Sequence, residues 1–174
     1  MFDELTKALG REMTQSHVDH LVGIGVPEST TIMLGCCTIE TDGDLFTPAE
    51  AGRPCVICPV IDGGEVIDLC AFRPSEPHRW WLRLGGHWAI GADALDRLGV
   101  GQEMSVYRTP LDWLRAGAPE TGLCIFDWQL AARKLSGVQL LADSLEHGHE
   151  LARRLTLPEV RPSISVPAKL SAGA

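Results

Sequence analysis

Apolar residues recur at helical spacing in the first segment of the chain, residues 1–35. One stripe of such residues at the start predicts an amphipathic helix, and it consists of Phe2, Leu5, Leu9 and Met13. A second short helix is expected after Ser16, its N-terminal cap, and should end near Gly23 and Gly25. Pro27 suits the first turn of a further helical piece, so this segment is predicted to be helical.

The middle of the chain, residues 36–100, changes to the shorter, β-branched runs that are typical of strands. The stretch TIETDGDLF carries an Asp-Gly turn between two such arms, which indicates a hairpin. Two runs rich in Val and Ile, Cys55–Ile61 and Val66–Phe72, flank the turn sequence DGGE. We therefore expect these two runs to pair as an antiparallel β-hairpin.

The second half, residues 101–156, alternates strand and helix patterns. Strands are predicted at Met104–Tyr107, Gly122–Phe126 and Val138–Ala142, and helices at Pro110–Ala116, Trp128–Leu135 and Glu146–Leu155. Such alternation favours a parallel sheet with right-handed crossovers, in which ligands bind beyond the carboxyl ends of the strands. Those ends fall near Arg108–Thr109, Asp127 and Asp143–Glu146.

The predicted fold class is thus α/β, a mainly parallel sheet with flanking helices, preceded by an antiparallel β-hairpin and N-terminal helices. A length of 174 residues fits one domain, 1–174. Its last segment, residues 157–174, is expected to be an extended tail because it contains Pro158, Pro162 and Pro167.

Composition narrows the class of protein. Hydrophobic residues make up 45% and charged residues 22%, which is typical of a globular protein with a packed core. Fifteen Lys and Arg against 23 Asp and Glu give a net charge of −8, the wrong sign for binding duplex DNA chiefly through its phosphates. No run approaches the roughly 18–20 apolar residues that cross a bilayer, and the charged start is unlike a signal peptide. We expect a cytoplasmic protein without a membrane partner.

Six cysteines in such a chain indicate thiols rather than a disulfide framework. Cys55 and Cys58 form a CxxC pair, and a zinc site that also used Cys36, Cys37, His17 or His20 is the alternative to buried core cysteines. The CxxC lies in an apolar strand pattern, however, and strand geometry sends residues three apart to opposite faces. We therefore predict no metal and no cofactor.

Tryptophans and arginines are interleaved after the hairpin. This possible binding patch comprises Arg73, Arg79, Trp80, Trp81, Arg83 and Trp88. Aromatic and basic residues in alternation can stack on the bases of a single strand. The alternative is that the indoles are core residues and the arginines lie across them in cation–π contact, which the acidic net charge favours.

Two segments resemble the Toprim domain of primases and topoisomerases, particularly that of phage- and plasmid-type primases. In that family a strand ends in an acidic Glu-Gly motif before a helix, and a later strand ends in Asp-x-Asp, followed closely by glycine. Here VYRTPLDWL has the frame of the first motif and LLADSLEHGHELARRL has the frame of the second. The resemblance covers residues 54–155 in the order of the predicted elements and in their sequence patterns, and it implies a Toprim-like fold.

The chain departs from the family at the residues that carry the chemistry. The resemblance implies a glutamate acting as general acid or base and aspartates holding magnesium. Arg108 stands at the glutamate position, and the Asp-x-Asp reads Asp143-Ser144-Leu145. An arginine cannot accept a proton and repels a divalent cation. A vestigial site of Arg108, Asp143 and Glu146 is therefore predicted, with no catalytic residues and with Asp143 capping the next helix.

Other candidate chemistry is sparse. His147 and His149 lie near Asp143 and Glu146, but no serine or cysteine stands beside them in a nucleophile motif such as G-x-S-x-G. Exposed, solvated histidines at a helix start are the expectation. The glycine-rich segments GVGQEMS and GIGVPES lack the lysine of a P-loop.

These observations favour a non-enzymatic binding or structural protein on a degenerate Toprim-like fold, with a phage or mobile-element origin as a further expectation. Its partner is expected to be a protein, and its place the cytoplasm, or the virion if it derives from a phage. One alternative is a single-stranded nucleic-acid binder that uses the tryptophan and arginine patch. The other is a divergent Mg²⁺-dependent nucleotidyl-transferase or nuclease that uses Asp143, Glu146 and Asp127.

Overall fold

The computed structural model of the chain describes residues 13–156. Six helices lie in this range: α1 (Gln15–Gly23), α2 (Glu28–Thr31), α3 (Ala94–Arg97), α4 (Pro110–Arg115), α5 (Trp128–Lys134) and α6 (Leu145–Leu155). The strands are β1 (Gly35–Asp42), β2 (Leu45–Pro48), β3 (Arg53–Asp62), β4 (Glu65–Arg73), β5 (Glu76–Leu82), β6 (Ala89–Ile90), β7 (Met104–Tyr107), β8 (Gly122–Ile125) and β9 (Leu140–Leu141). The predicted amphipathic stripe, apart from Met13, and the tail from residue 157 lie outside the described residues.

Strands β1 to β5 form a closed barrel in the order β1-β2-β5-β4-β3. Four of its five pairings are antiparallel, and β2 pairs with β5 in parallel. This closing pair consists of Leu45 and Leu82 alone, with the Leu82 amide donating to the Asp44 carbonyl at 2.9 Å. The barrel therefore has one short seam, between β2 and β5.

Successive side chains of a strand point to opposite faces of the sheet, so the barrel strands have an inner and an outer face. On β3, Cys55 packs with the inner cluster, which includes Phe46 and Trp81, whereas Cys58 packs on the outside. On β5, Trp81 is buried inside and Trp80 lies outside, against Phe126. Val56, Cys58 and Phe72 on the outer face of β3 and β4 pack in the central core with residues of α1, α4 and the small sheet.

The second sheet is small and mixed, in the order β6-β8-β7-β9. Strands β7, β8 and β9 pair in parallel, and β6 pairs with β8 in the antiparallel sense. Cys124 and Ile90 on one face contact the barrel's outer residues and helix α4, whereas Leu123 and Ile125 on the other face pack with α5 and α6. The fold thus has three layers: the barrel, the small sheet and a pair of helices.

The predicted fold class is wrong: within residues 13–156 the main sheet is a closed, mostly antiparallel barrel, and the parallel strands of the second half form only a small mixed sheet beside it. The predicted hairpin, Cys55–Phe72, is present as β3 and β4, but it is two strands of a mostly antiparallel barrel. The tryptophan-rich stretch supplies a further strand, β5, and β1 with β2 supply the Asp-Gly hairpin. Barrel closure depends on pairings between strands distant in sequence, which local patterns do not encode.

The strands and helices of the second half lie within one residue of their predicted bounds, except that β9 is shortened from the predicted Val138–Ala142 to Leu140–Leu141. Two helix caps differ from expectation. Thr14 rather than Ser16 caps α1, and Ser144 rather than Asp143 caps α6 by accepting a hydrogen bond from the His147 amide at 3.2 Å. Among residues 13–156, no helix is both long and apolar enough to cross a bilayer.

Candidate functional site

Arg108 and Asp143 meet at the carboxyl ends of neighbouring strands. The Arg108 Nε lies 3.4 Å from the Asp143 Oδ2, and its Nη1 lies 3.4 Å from Glu150 Oε2. Its Nη2 donates to Ser144 Oγ at 3.2 Å. Arg108 and Asp143, two of the residues predicted for a vestigial site, lie close together because β7 and β9 are adjacent parallel strands. The guanidinium thus lies between two carboxylates.

Helix α6 and the residues that lead into it supply the acidic side of this cluster. Four side chains follow its helical spacing and lie on one stripe: Asp143, His147, Glu150 and Arg154. His147 Nδ1 lies 3.0 Å from Asp143 Oδ1, and Arg154 Nη2 lies 3.1 Å from Glu150 Oε1. The expectation that His147 is solvated is wrong, since it is buried beneath the helix at 2% exposure. His149 is exposed, as expected.

The environment of Asp143 stabilises its ionised form. Partial desolvation acts to raise its pKa, but the hydrogen bond from Ser144 and the nearby His147 and Arg108 outweigh it, so the pKa is lowered. Glu146 is exposed, and the second carboxylate of the cluster is that of Glu150. No three His, Cys, Asp or Glu residues within 13–156 are grouped as a metal site would require.

A cleft lies where the barrel meets the small sheet. It consists of a cavity of about 700 Å³ and an adjoining one of about 220 Å³, and both are lined by His78, Trp80 and Trp128. We call this pair of cavities the indole cleft. The larger cavity reaches Arg79 and the barrel seam, and the smaller one reaches Arg108. Carboxyl ends of parallel strands border the cleft, which is where open α/β sheets bind ligands.

The tryptophan and arginine patch does not form one surface. Trp81 is buried in the barrel, and Trp88 is buried under the small sheet, so Trp80 is the patch tryptophan that lines the cleft. Arg79 lies over the Trp81 ring, 5.1 Å from its centroid, which is the cation–π contact weighed above. Arg73 pairs with Glu76 at 2.8 Å, and the Arg83 Nη1 donates to the Phe46 carbonyl at 3.4 Å.

Asp68 fixes the loop at the cleft's edge. Its side chain is 1% exposed and accepts hydrogen bonds from four backbone amides: those of Leu69, Arg83, Leu84 and Gly85. Gly85 lines the larger cavity. A buried carboxylate on β4 therefore holds the chain that follows β5 in place.

The cysteines are all buried. Cys55 and Cys58 lie on opposite faces of β3, as the strand argument against a shared metal required. Burial raises the pKa of Cys55 to about 11 and also raises those of Cys58, Cys70 and Cys124. Protonated thiols at neutral pH are poor nucleophiles, so these four residues are suited to packing.

Sequence reasoning missed several residues of this region. Glu150 could have been found, because it stands four residues after Glu146 and three after His147 in a predicted helix and so shares a helix face with them. Asp68 had one too, as the one charged residue within the apolar run Val66–Phe72. Trp128 gave no such signal, because only the folded arrangement of β5 and α5 brings it and Trp80 into the lining of the same cavities.

We expect Arg108→Ala to lower the free energy of unfolding by about 1–2 kcal/mol, because it removes the cation that two carboxylates share and leaves only Arg154 beside Glu150 and His147 beside Asp143. The figure is modest since the Asp143 side chain is 57% exposed and that of Glu150 is 27% exposed, so water replaces part of the interaction. Urea unfolding measures the change. Arg97→Ala is the matched control, as Arg97 pairs with the single carboxylate of Asp93. An equal cost for both variants would contradict this account of the cluster.

The chain matches no protein-family model, no curated protein and no solved structure. Function therefore has to be inferred from the geometry of this chain's own residues. The Toprim resemblance stays a prediction.

Proposed function

We propose that this chain is a non-enzymatic binding protein that acts in the cytoplasm and takes its ligand in the indole cleft. The supporting observation is the position of Arg108 between the carboxylates of Asp143 and Glu150. A permanent cation there compensates both negative charges.

The chemistry of these side chains favours binding over catalysis. A general base must be able to accept a proton, and Arg108 cannot do so. The environment of Asp143 favours its ionised form, but its carboxylate already contacts Ser144, His147 and Arg108. The thiols of Cys58, Cys70 and Cys124 are fully buried and their pKa values are raised, so they are poorly suited to act as nucleophiles.

Calorimetric titration with MgCl₂ and incubation with labelled DNA and Mg²⁺ test this proposal against the nuclease or nucleotidyl-transferase alternative. We expect no saturable heat and no cleavage or extension of the DNA. Arg108→Glu is the positive control, because it places a third carboxylate beside Asp143 and Glu150 and so favours a hard cation.

Stoichiometric Mg²⁺ binding by the unchanged chain that is lost in Asp143→Asn would overturn the proposal. So would Mg²⁺-dependent DNA cleavage that Asp143→Asn abolishes. Asp96→Asn serves as the matched control for that variant, because Asp96 is exposed on α3, away from the residues that line the cleft.

A further inference from the structure

We propose that the indole cleft binds a single nucleobase together with its phosphate, an inference that rests on the proposed binding function. The juxtaposition of half-buried indoles with an arginine that forms no ion pair within residues 13–156 carries it. A free mononucleotide and one nucleotide of a single strand share this chemistry.

The cleft offers aromatic surface for stacking. Trp80 and Trp128 are both half-buried and line both cavities, and Phe126 lines the larger one. The Trp80 and Phe126 rings are tilted by 45° with centroids 6.0 Å apart. On Trp128 the Arg154 guanidinium covers one ring face, 4.7 Å from the centroid. A planar base can therefore stack on an indole whose own position is held by a neighbour.

Arg79 supplies a cation for the phosphate. It is exposed, lines the larger cavity and forms no ion pair with any residue of the described range 13–156. Its contact with the Trp81 ring holds the side chain beside the cleft without neutralising it. Exposed His78 precedes it on β5 and lines both cavities. Arg108 and Arg154, by contrast, are already paired with carboxylates.

Size and charge limit the ligand to about one nucleotide. A volume of about 700 Å³ is within the range of about 300–1,000 Å³ that small-molecule sites occupy. Three arginines and three acidic residues line the two cavities: Arg79, Arg108, Arg154, Asp44, Asp127 and Glu150. This balance provides no continuous basic track for a long polyanion.

One further wall residue suits a base with a polar edge. His87 lines the larger cavity, and its Nε2 is buried with no hydrogen-bond partner in the part of the chain that the structure describes. Desolvation lowers the pKa of His87, so the ring is neutral at pH 7 and has one nitrogen able to accept a hydrogen bond. Buried polar atoms normally have a partner: the exocyclic amino group of a base can donate to the Nε2 in one tautomer of His87, and a ring nitrogen of the base can accept from it in the other.

Fluorescence and calorimetric titrations of the full chain with AMP, adenosine and a ten-nucleotide oligo(rA) test this inference. We expect AMP to quench tryptophan emission in a saturable manner and to bind more tightly than adenosine, which lacks the phosphate. If a single strand is the source, the decamer binds more tightly than AMP and weakens as salt is raised from 50 to 200 mM. If a free nucleotide is the source, the decamer binds no better than AMP.

Variants locate the site. Trp80→Leu and Trp128→Leu should each weaken AMP by about tenfold, the loss expected when a stacking surface is removed. Arg79→Ala should weaken AMP by about fivefold and leave adenosine unchanged, because it removes only the phosphate's cation. Arg53→Ala, an exposed arginine on β3 outside the cleft, should change neither. Circular dichroism of each variant checks that it is folded.

Two results would overturn the inference: no binding of AMP, adenosine or the decamer, or binding that the folded Trp128→Leu and Arg79→Ala variants leave unchanged. Either result is distinguishable from failure of the proposed function, which appears as Mg²⁺-dependent catalysis. Saturable binding of N-acetyltryptophanamide, a probe for an aromatic peptide, without binding of any nucleotide would also overturn it.

Discussion

Asp68→Ala should lower the free energy of unfolding by about 3–5 kcal/mol, one of the two largest single effects we expect in this protein. Asp68 Oδ1 accepts from the amides of Leu69 at 2.7 Å, Arg83 at 3.1 Å and Leu84 at 2.9 Å, and its Oδ2 accepts from Gly85 at 3.0 Å. Alanine removes all of these acceptors. The buried amide of Leu69 and the part-buried amides of Leu84 and Gly85 then lose their partner, whereas the Arg83 amide also donates to the Leu69 carbonyl at 2.9 Å.

Urea unfolding of three variants measures this effect. Asp68→Asn should cost less than Asp68→Ala, about 2 kcal/mol, because the amide oxygen keeps part of the acceptor set while its NH₂ group faces a donor. Glu40→Ala, an exposed acidic position on β1, should change stability by at most about 0.5 kcal/mol. A cost for Asp68→Ala as small as that of Glu40→Ala would show that water replaces the carboxylate.

The parts of the fold that sequence predicts are those that local chemistry determines. The β3–β4 hairpin follows from two β-branched runs around DGGE, and Gly63 and Gly64 both adopt positive φ in its turn. Helix α4 follows from Pro110 at its first turn and from Thr109, whose side chain accepts from the Asp112 amide. Each of these signals involves residues close together in sequence.

The barrel could not be predicted from local patterns, because it is closed by pairs of strands that lie far apart in the sequence. Pairing of β1 with β3 depends on which surfaces the remaining strands leave available, and the seam rests on Leu45 with Leu82. The adjacent tryptophans Trp80 and Trp81 also allowed two interpretations from the sequence, a binding patch or core residues. Adjacent residues of a strand point to opposite faces, so Trp80 and Trp81 contribute to two different surfaces rather than to one patch.

The candidate site likewise has contacts that the sequence could predict and others that it could not. The meeting of Arg108 with Asp143 could be expected, since both follow strands that the alternating pattern places side by side. The burial of His147 could not be expected, because it depends on how closely α6 packs against the small sheet. The indole cleft combines residues of β5, of the segment that follows β8 and of α5, and only the docking of barrel against sheet brings them together.

Gly91→Ala should lower the free energy of unfolding by about 4 kcal/mol, because three costs coincide at this position. Gly91 follows β6 with φ of +74°, a conformation that L side chains rarely adopt. A Cβ atom there would lie 2.3 Å from the Gly122 carbonyl oxygen and 3.2 Å from the Trp113 Nε1. The same carbonyl accepts the buried hydrogen bond from the Trp113 Nε1 at 3.0 Å.

Gly101→Ala separates the backbone cost from the steric one. Gly101 has φ of +80°, but a Cβ atom there would meet nothing within 4 Å. Its substitution should therefore cost about 1–2 kcal/mol, the penalty of the left-handed conformation alone. Urea unfolding gives both values, and near-ultraviolet circular dichroism should change for Gly91→Ala but not for Gly101→Ala, because only the former disturbs an indole. Equal costs would mean that the strand β8 moves aside, whereas a difference of about 2–3 kcal/mol would measure how firmly the small sheet is held against Trp113.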